Sequence, residues 1–423
     1  MASDSDSPWP SSSLLQRVKQ KVSHLTRASK DDVKVVISPY RICPLGAHID
    51  HQGGSVTAMA INRGVVLGFV ASDDITFKLE SSQFLGTTQF SLEKPRIRPP
   101  GAAVGELELS AWGDYARGAA FALKSRGYEV KKGIQGYLEA PPGFDGGGLS
   151  SSAAVGVAYL LALEYVNDLQ LSKEENVELD RIIENEYLGL KIGVLDQSAI
   201  LFSKQHCLSL IHCKTLEYEI IPPHQSDVES FRILIAFSGL RYALSSKPGY
   251  NLRVKECEDA ARVLLKLVGR ERSEPLLSSV TPEEYSLFKG ELDGNLAKRA
   301  KHFFTEVARV SAGVEEWSRG DMEAFGKLMS ESGQSSIDNY ECGCEPLIQL
   351  RRILLDAPGV FGARFSGAGF RGCCVALVAS EKAEEAAAFV DRVYKLAQPE
   401  LVKHITDTPV AVICQSARGA HLI

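Results

Sequence analysis

Three glycines and three serines feeding an apolar helix set the tightest constraint on this chain. The run spans Pro142 to Ala154 and reads Pro-Gly-Phe-Asp-Gly-Gly-Gly-Leu-Ser-Ser-Ser-Ala-Ala. Glycines let backbone N–H groups approach a ligand closely and take up φ > 0. The stretch from Ala153 to Leu163 reads as helix, and a helix N-terminus adds orphan N–H donors and partial positive charge. Together these make a cradle for an anion, most often a phosphate. Serine hydroxyls beside such a cradle suit a phosphate-bound Mg²⁺. The plainer reading is a flexible surface loop ahead of a serine-capped helix. The loop itself has neither the Gly-Lys-Ser/Thr of a Walker A nor the Gly-x-Gly-x-x-Gly spacing of a Rossmann turn. The loop alone points to an anion, a nucleotide phosphate first, and leaves the chemistry open.

A length of 423 residues suggests two domains or one large one. Hydrophobic content of 44% and a charged fraction of 24% place the chain among globular proteins with a core of normal size. A net charge of −6 argues against nonspecific nucleic-acid binding, while leaving room for a local basic pocket. Residues 1–32 have no long apolar run, so neither a signal peptide nor a membrane span is expected, and their Ser/Asp/Pro-rich start reads as disordered. Nine cysteines, an odd count without paired Cys-x-x-Cys sets, favour reduced thiols and a cytoplasmic location. Cys373 and Cys374 sit in an apolar run and read as core.

Strands are expected at Val33–Ser38, ended by Pro39, and at Asn62–Ser72, Ile75–Glu80 and Gly133–Ala140. Trp112 to Arg126 has helical periodicity with Gly127 as its cap, and Ser172 to Tyr187 reads as a second helix capped by Ser172 with Glu175. Further strands are read at Cys207–His212, Leu216–Ile221 and Phe231–Phe237, and helices around Asn251–Leu267 and Ala297–Ser318. The end reads strand–helix–strand, at Ala363–Leu377, Lys382–Tyr394 and Pro409–Gln415. Pro222–Ser226 is the best boundary, which divides the chain into a segment 1–32 and domains 33–225 and 226–423 of α+β type.

Three motifs in fixed order carry a resemblance. The first is Ser38 to Gly54, which contains Arg41, Ala47, His48, Asp50 and His51. The second is the glycine loop, and the third is Arg364-Phe-Ser-Gly-Ala-Gly-Phe-Arg-Gly-Cys373. Between them lie Gly193-Val-Leu-Asp196 and the segment around Tyr250. This set resembles the GHMP small-molecule kinase superfamily, and within it the galactokinase branch. The resemblance implies a two-domain α+β fold, with an S5-like N-terminal domain, a ferredoxin-like C-terminal domain and the active site in the cleft between them. It implies ATP-dependent phosphorylation of a sugar, with Asp196 and Arg41 catalytic. Phosphoryl transfer needs positioning, charge neutralisation and help for the attacking hydroxyl. Arg41 offers a fixed positive fork, and Asp196 a group that takes or holds the hydroxyl proton. Read from the residues alone, Asp196 is an ordinary turn residue.

By the same resemblance Gly146, Gly147, Gly148, Leu149, Ser150, Ser151, Ser152 and Ala153 bind the nucleotide. Trp112, with Tyr115 nearby, flanks the adenine, although aromatics at this spacing are as well explained by core packing. Ser152 and Glu184 are the implied Mg²⁺ ligands, and oxygen ligands suit that hard cation. His48, Asp50, Gly193 and Tyr250 are implied sugar contacts. Strand-like alternation places His48 and Asp50 on one face and His51 on the other, against a three-ligand zinc site. No membrane or nucleic-acid partner is implied, and a monomer is the family's default.

Ala47 departs from the galactokinase pattern, which has Glu at this place near carbon 6 of galactose. Two like charges about 4 Å apart repel by roughly 4 kcal/mol at an effective dielectric near 20, about a thousandfold in binding. Glu there excludes a uronic acid and Ala admits one, so the substitution fits D-galacturonic acid as acceptor. The pattern looks like the plant galacturonokinase type more than galactokinase proper. Tyr250, Arg241 and Arg371 are candidates to hold the acceptor's carboxylate, which needs a partner when buried. Ala368 replaces a glycine of the third motif, and Asp145 is an added acidic residue expected to face away from phosphate. A neutral-sugar kinase of the same fold is the alternative. A non-catalytic sensor on this fold fits less well, because Ser150–Ala154 and Asp196 are intact.

Overall fold

The computed structural model describes residues 9–84, 86–92, 113–144, 148–190, 192–224, 229–240, 249–405 and 408–423. The first half of the chain contains α1 (Ser12–Thr26), β1 (Lys34–Ile42), β2 (Ser55–Ala71), β3 (Thr76–Ser81), β4 (Thr87–Ser91), α2 (Asp114–Ser125) and β5 (Ile134–Glu139). It continues through α3 (Ser151–Val166), α4 (Lys173–Ile182), α5 (Leu195–Phe202), β6 (Leu208–His212) and β7 (Glu217–Ile221). The second half holds β8 (Phe231–Phe237), α6 (Gly249–Leu267), α7 (Pro282–Phe288), α8 (Gly294–Arg319), α9 (Met322–Asp338) and α10 (Glu345–Leu355). After these come β9 (Val360–Phe365), β10 (Cys373–Ala379), α11 (Ala383–Ala397), α12 (Pro399–Val402), β11 (Ala411–Cys414), β12 (Ser416–Ala417) and β13 (His421–Leu422).

Two sheets organise these elements. The larger runs β13-β1-β2-β5-β3-β4, and β2 is long enough to pair also with β12 and β6, which carries β7. The smaller is antiparallel in the order β11-β8-β10-β9. Helix α3 is apolar on every side, from Ala153 through Leu163, and is buried over most of its surface against α2, β2 and β1. That burial fixes its N-terminus beside the end of β1, where the site lies. The last strands return to the first sheet, since β13 pairs with β1 and β12 with β2. Among the described residues, no helix is long and apolar enough to cross a membrane.

Several expectations are corrected. Residues 12–26 are helical rather than disordered: Ser11 caps Leu14, and Val18 and Val22 are fully buried with Val33, Val35, Val66 and Tyr137. The Ser- and Asp-rich start masked an apolar stripe at Leu15, Val18 and Val22, spaced to face one side of a helix. Pro39 does not end the first strand; β1 runs to Ile42 with a register shift between Pro39 and Arg41. A bulge is where a sheet tolerates proline. The run Ala363–Leu377 is not one strand but the antiparallel hairpin of β9 and β10, joined by the glycine-rich turn of the third motif. The charged helix stops at Ile182 and passes into a π-helical turn at Ile183–Tyr187. Cys373 and Cys374 are core, and no disulfide forms among the described residues.

Candidate active site

The glycine loop reaches α3 through Ser150, which has left-handed φ 60 and ψ 43 and makes no side-chain capping bond. Its buried hydroxyl has no hydrogen-bond partner among the described residues. The serine-capped helix of the plainer reading is therefore absent. The first-turn N–H groups around Ser151, Ser152 and Ala153 get no help from Ser150, the arrangement an anion would complete. Gly148 is pressed against the third motif. A Cβ at Gly148 would lie 2.7 Å from the Ser366 carbonyl oxygen, and one at Gly367 would lie 2.9 Å from the Gly148 Cα. The Gly148 carbonyl accepts from Ser366 Oγ at 2.8 Å, so the second and third motifs brace each other. Gly146, Gly147, Asp145, Arg241 and Trp112 lie outside the described residues.

Arg41 joins the loop to the acidic residue. From the end of β1 its Nε and Nη2 donate to Asp196 Oδ1 at 2.9 and 2.7 Å, and its Nη1 donates to the Gly148 carbonyl at 3.2 Å. The backbone N–H of Arg41 also donates to the Leu149 carbonyl. Burial opposes the guanidinium charge, but Asp196 outweighs it and holds Arg41 above its ordinary value. Asp196 lies in the first turn of α5, where the helix dipole favours a carboxylate. It is no isolated turn residue.

The segment from Cys43 to His51 is irregular and ends in a 3₁₀ turn at Asp50–Gln52, so the alternation expected of His48, Asp50 and His51 does not exist. His48 has φ +67 and stacks on Tyr340, with ring centroids 4.3 Å apart and planes 10° from parallel. Its Nε2 lies 3.4 Å from Cys342 Sγ. Burial, then His302, holds both His48 and His51 neutral, the latter lowered to about 4. Asp50 fits against Gly193: a Cβ there would lie 2.1 Å from Asp50 Oδ2. Burial and then the charge of Asp196 push the Asp50 carboxyl up to about 6. Ala47, His48, Asp50, Gly193, Asp196, Ser152 and Glu184 all line one cleft of about 350 Å³. Arg371 and Ala368 line it too, whereas the side chain of Tyr250 lies outside the described residues. Tyr340 and Cys342 went unnoticed in the sequence, because nothing local marks a residue that meets His48 across almost three hundred positions. A larger basin of about 770 Å³ lies far from this chemistry, beside Lys34, Lys132 and Tyr165.

Ser152 lies beside both Tyr115 and Glu184. Tyr115 is packed with the core of α2 and α3, as the plainer reading of the aromatics had it. Glu184 sits in the π-helical turn, a distortion that often marks functional positions. It is 1% exposed, and its Oε1 has no hydrogen-bond partner among the described residues. Burial and the charge of Asp196 push Glu184 up to about 8, and Asp180 is raised as well. Buried, crowded and orphaned carboxylate oxygens are what a bound cation would satisfy, so Ser152 and Glu184 fit a hard divalent ion. No set of three His, Cys, Asp or Glu side chains among the described residues is placed to hold a metal alone, which leaves the other positions to phosphate and water.

Residues 114–204 match the N-terminal domain of GHMP kinases and residues 313–396 match their C-terminal domain. A galacturonokinase of Arabidopsis thaliana is 53% identical over 424 aligned positions, covering 98% of this chain and 99% of that protein. The chain belongs to the GHMP kinase family. A Clostridium perfringens galactokinase is 30% identical over 89% of this GHMP kinase and 93% of its own length. The solved structure of Lactococcus lactis galactokinase complexed with galactose superposes with a TM-score of 0.84 at 29% identity, covering 96% of this chain and 99% of that one. The two-domain kinase fold expected from the motifs is therefore present. This GHMP kinase is a sugar phosphotransferase with an alcohol group as acceptor, in a family that uses ATP with a divalent cation.

Proposed function

We propose that this kinase transfers the γ-phosphoryl group of ATP to the anomeric hydroxyl of D-galacturonic acid, giving D-galacturonate 1-phosphate and ADP. Ala47 carries the choice of acceptor: the cleft wall at that residue ends in a methyl group and not in a carboxylate that would repel a uronate. The full-length likeness to a galacturonokinase supports the same acceptor.

The phosphates rest on Gly146–Ala153, with Trp112 at the adenine. The acceptor sugar lies against His48, Asp50, Gly193 and Tyr250. Ser152 and Glu184 would hold Mg²⁺, which when bound neutralises charge on the phosphates. Both Arg41 donors end on Oδ1 of Asp196, and Oδ2 is left for the anomeric hydroxyl. As the new P–O bond forms and the bond to ADP breaks, the hydroxyl proton passes to Asp196. Arg41 holds the Asp196 carboxylate in place and stays beside the phosphate loop as charge develops. Cysteines without disulfides suit a reducing, cytoplasmic setting, in which the enzyme acts as a monomer.

Asp196→Asn tests the mechanism. Turnover is expected to fall by about a thousandfold or more, within the range general-base removal produces, while ATP binding measured by calorimetry is unchanged. Retained turnover removes Asp196 from the reaction.

A further inference from the structure

The acceptor loop is irregular and carries two left-handed residues, Gly46 at φ +93 and His48 at φ +67. A non-glycine residue in this region persists only where its surroundings over-determine it. Thr57 of the first half holds both backbone groups of Leu45, and the second half of the chain holds three further backbone atoms of the loop. Arg364 Nη1 donates to the Pro44 carbonyl at 3.4 Å. The Gly46 N–H donates to Glu306 Oε1 at 2.8 Å. His302 Nε2 donates to the Ala47 carbonyl at 3.0 Å. All three side chains are buried, at 1%, 0% and 1% exposure for Arg364, Glu306 and His302.

His302 and Glu306 stand one turn apart on α8, so one helix face holds both the N–H of Gly46 and the carbonyl of Ala47. The tautomer of His302 follows from its partners. A carbonyl only accepts, so Nε2 carries the hydrogen. Nδ1 then accepts from Ser335 Oγ at 3.0 Å, and Asn339 Nδ2 donates to that same oxygen at 3.1 Å. Burial holds the imidazole below its ordinary value and so keeps it neutral, while its two partners set the tautomer. Glu306 is secured in turn by Ser332 and by Arg309 Nε at 2.8 Å.

We propose that His302 is a positioning residue for the phosphoryl acceptor: its Nε2–H fixes the Ala47 carbonyl and, with Glu306, sets where Ala47, His48 and Asp50 meet the sugar. This rests on the acceptor site proposed above, though not on which sugar occupies it. The acceptor subsite is thereby built by both halves of the chain, while Gly148 to Ala153 and Asp196 come from the first.

Steady-state kinetics of full-length His302→Ala, His302→Gln and Ser335→Ala test it, each with the sugar the native enzyme turns over best. His302→Ala is expected to raise the acceptor KM about tenfold, the ratio a lost buried hydrogen bond carries, with kcat and the ATP KM within about twofold of native. His302→Gln keeps an N–H donor and recovers most of the loss. Ser335→Ala removes the donor to Nδ1 without touching the loop and raises the acceptor KM by a smaller factor. These two variants carry the test should His302→Ala fold poorly. Equal rises in both KM values, or a glutamine variant of native thermal stability no better than alanine, would overturn the proposal. A native preference for another sugar removes the galacturonate reading and leaves the His302 result standing.

Discussion

Replacing Ala47 with Glu restores a carboxylate to the wall of the acceptor cleft. The residue's carbonyl is tied to His302 at 3.0 Å, so the backbone cannot simply carry the new side chain away. At 4–6 Å from a uronate carboxylate, an effective dielectric near 20 gives about 3–4 kcal/mol of repulsion. That is roughly a hundred- to a thousandfold in the preference for galacturonate over galactose. The assay is ADP release with each sugar, compared as kcat/KM in native protein and Ala47→Glu. The ATP KM is expected to stay put, because the phosphate loop is braced by Arg41 and Ser366 and not by residue 47. A folded variant whose sugar ratio is unchanged would refute the reasoning, since residue 47 would then not face the acceptor's charged end.

Gly193→Ala forces a methyl group to within 2.1 Å of the present Asp50 Oδ2, so the carboxylate must move. The acceptor KM is expected to rise while calorimetric ATP binding is unchanged; an unchanged acceptor KM removes Asp50 from the sugar site. The Asp50 carboxyl, raised to about 6, also predicts a limb in the pH profile. Because its ionised form accepts sugar hydroxyls, kcat/KM falls about tenfold per unit below about pH 6, and Asp50→Asn abolishes that limb. The sign for stability is opposite. A carboxyl raised in the folded state favours folding when protonated, so its contribution is full below its unfolded value of 3.8 and is lost as pH rises through about 6. Asp50→Asn is therefore expected to melt higher than native protein at pH 7; a lower melting temperature contradicts the burial of that charge. Val18→Ala empties part of the α1 contact and costs about 1–2 kcal/mol by chemical denaturation, with both KM values unchanged. No loss of stability would mean that α1 does not dock on the sheet.

Residues that the structure gathers into one cleft stand out in the sequence more than the frame around them does. Arg41, Ser152 and Asp196 belong to local motifs, Glu184 is marked only by the resemblance, and α3 announces itself through an unbroken apolar run after the glycine loop. Strands β6, β7 and β8 were legible because each is a short apolar or alternating run between turn residues. What escaped depends on contacts between distant segments. Nothing near His48 indicates that Tyr340 stacks on it, and nothing near Ala47 indicates that His302 holds its carbonyl. The hairpin of β9 and β10 read as one strand because both arms are apolar and the turn between them consists of the third motif itself. Helix α1 was missed because polar composition outweighed a stripe of only a few apolar residues. Pro39 was read as a stop because the bulge that admits it is a property of the pairing with β2.

The most direct test of the account is Mg·ATP-dependent ADP release by the native protein with galacturonate, glucuronate, galactose and arabinose side by side. Strong preference for galacturonate is the expected result, with galactose turned over far more slowly. Preference for galactose would contradict it: fold and catalytic pair would stand, but Ala47 would no longer be the feature that admits a charged sugar.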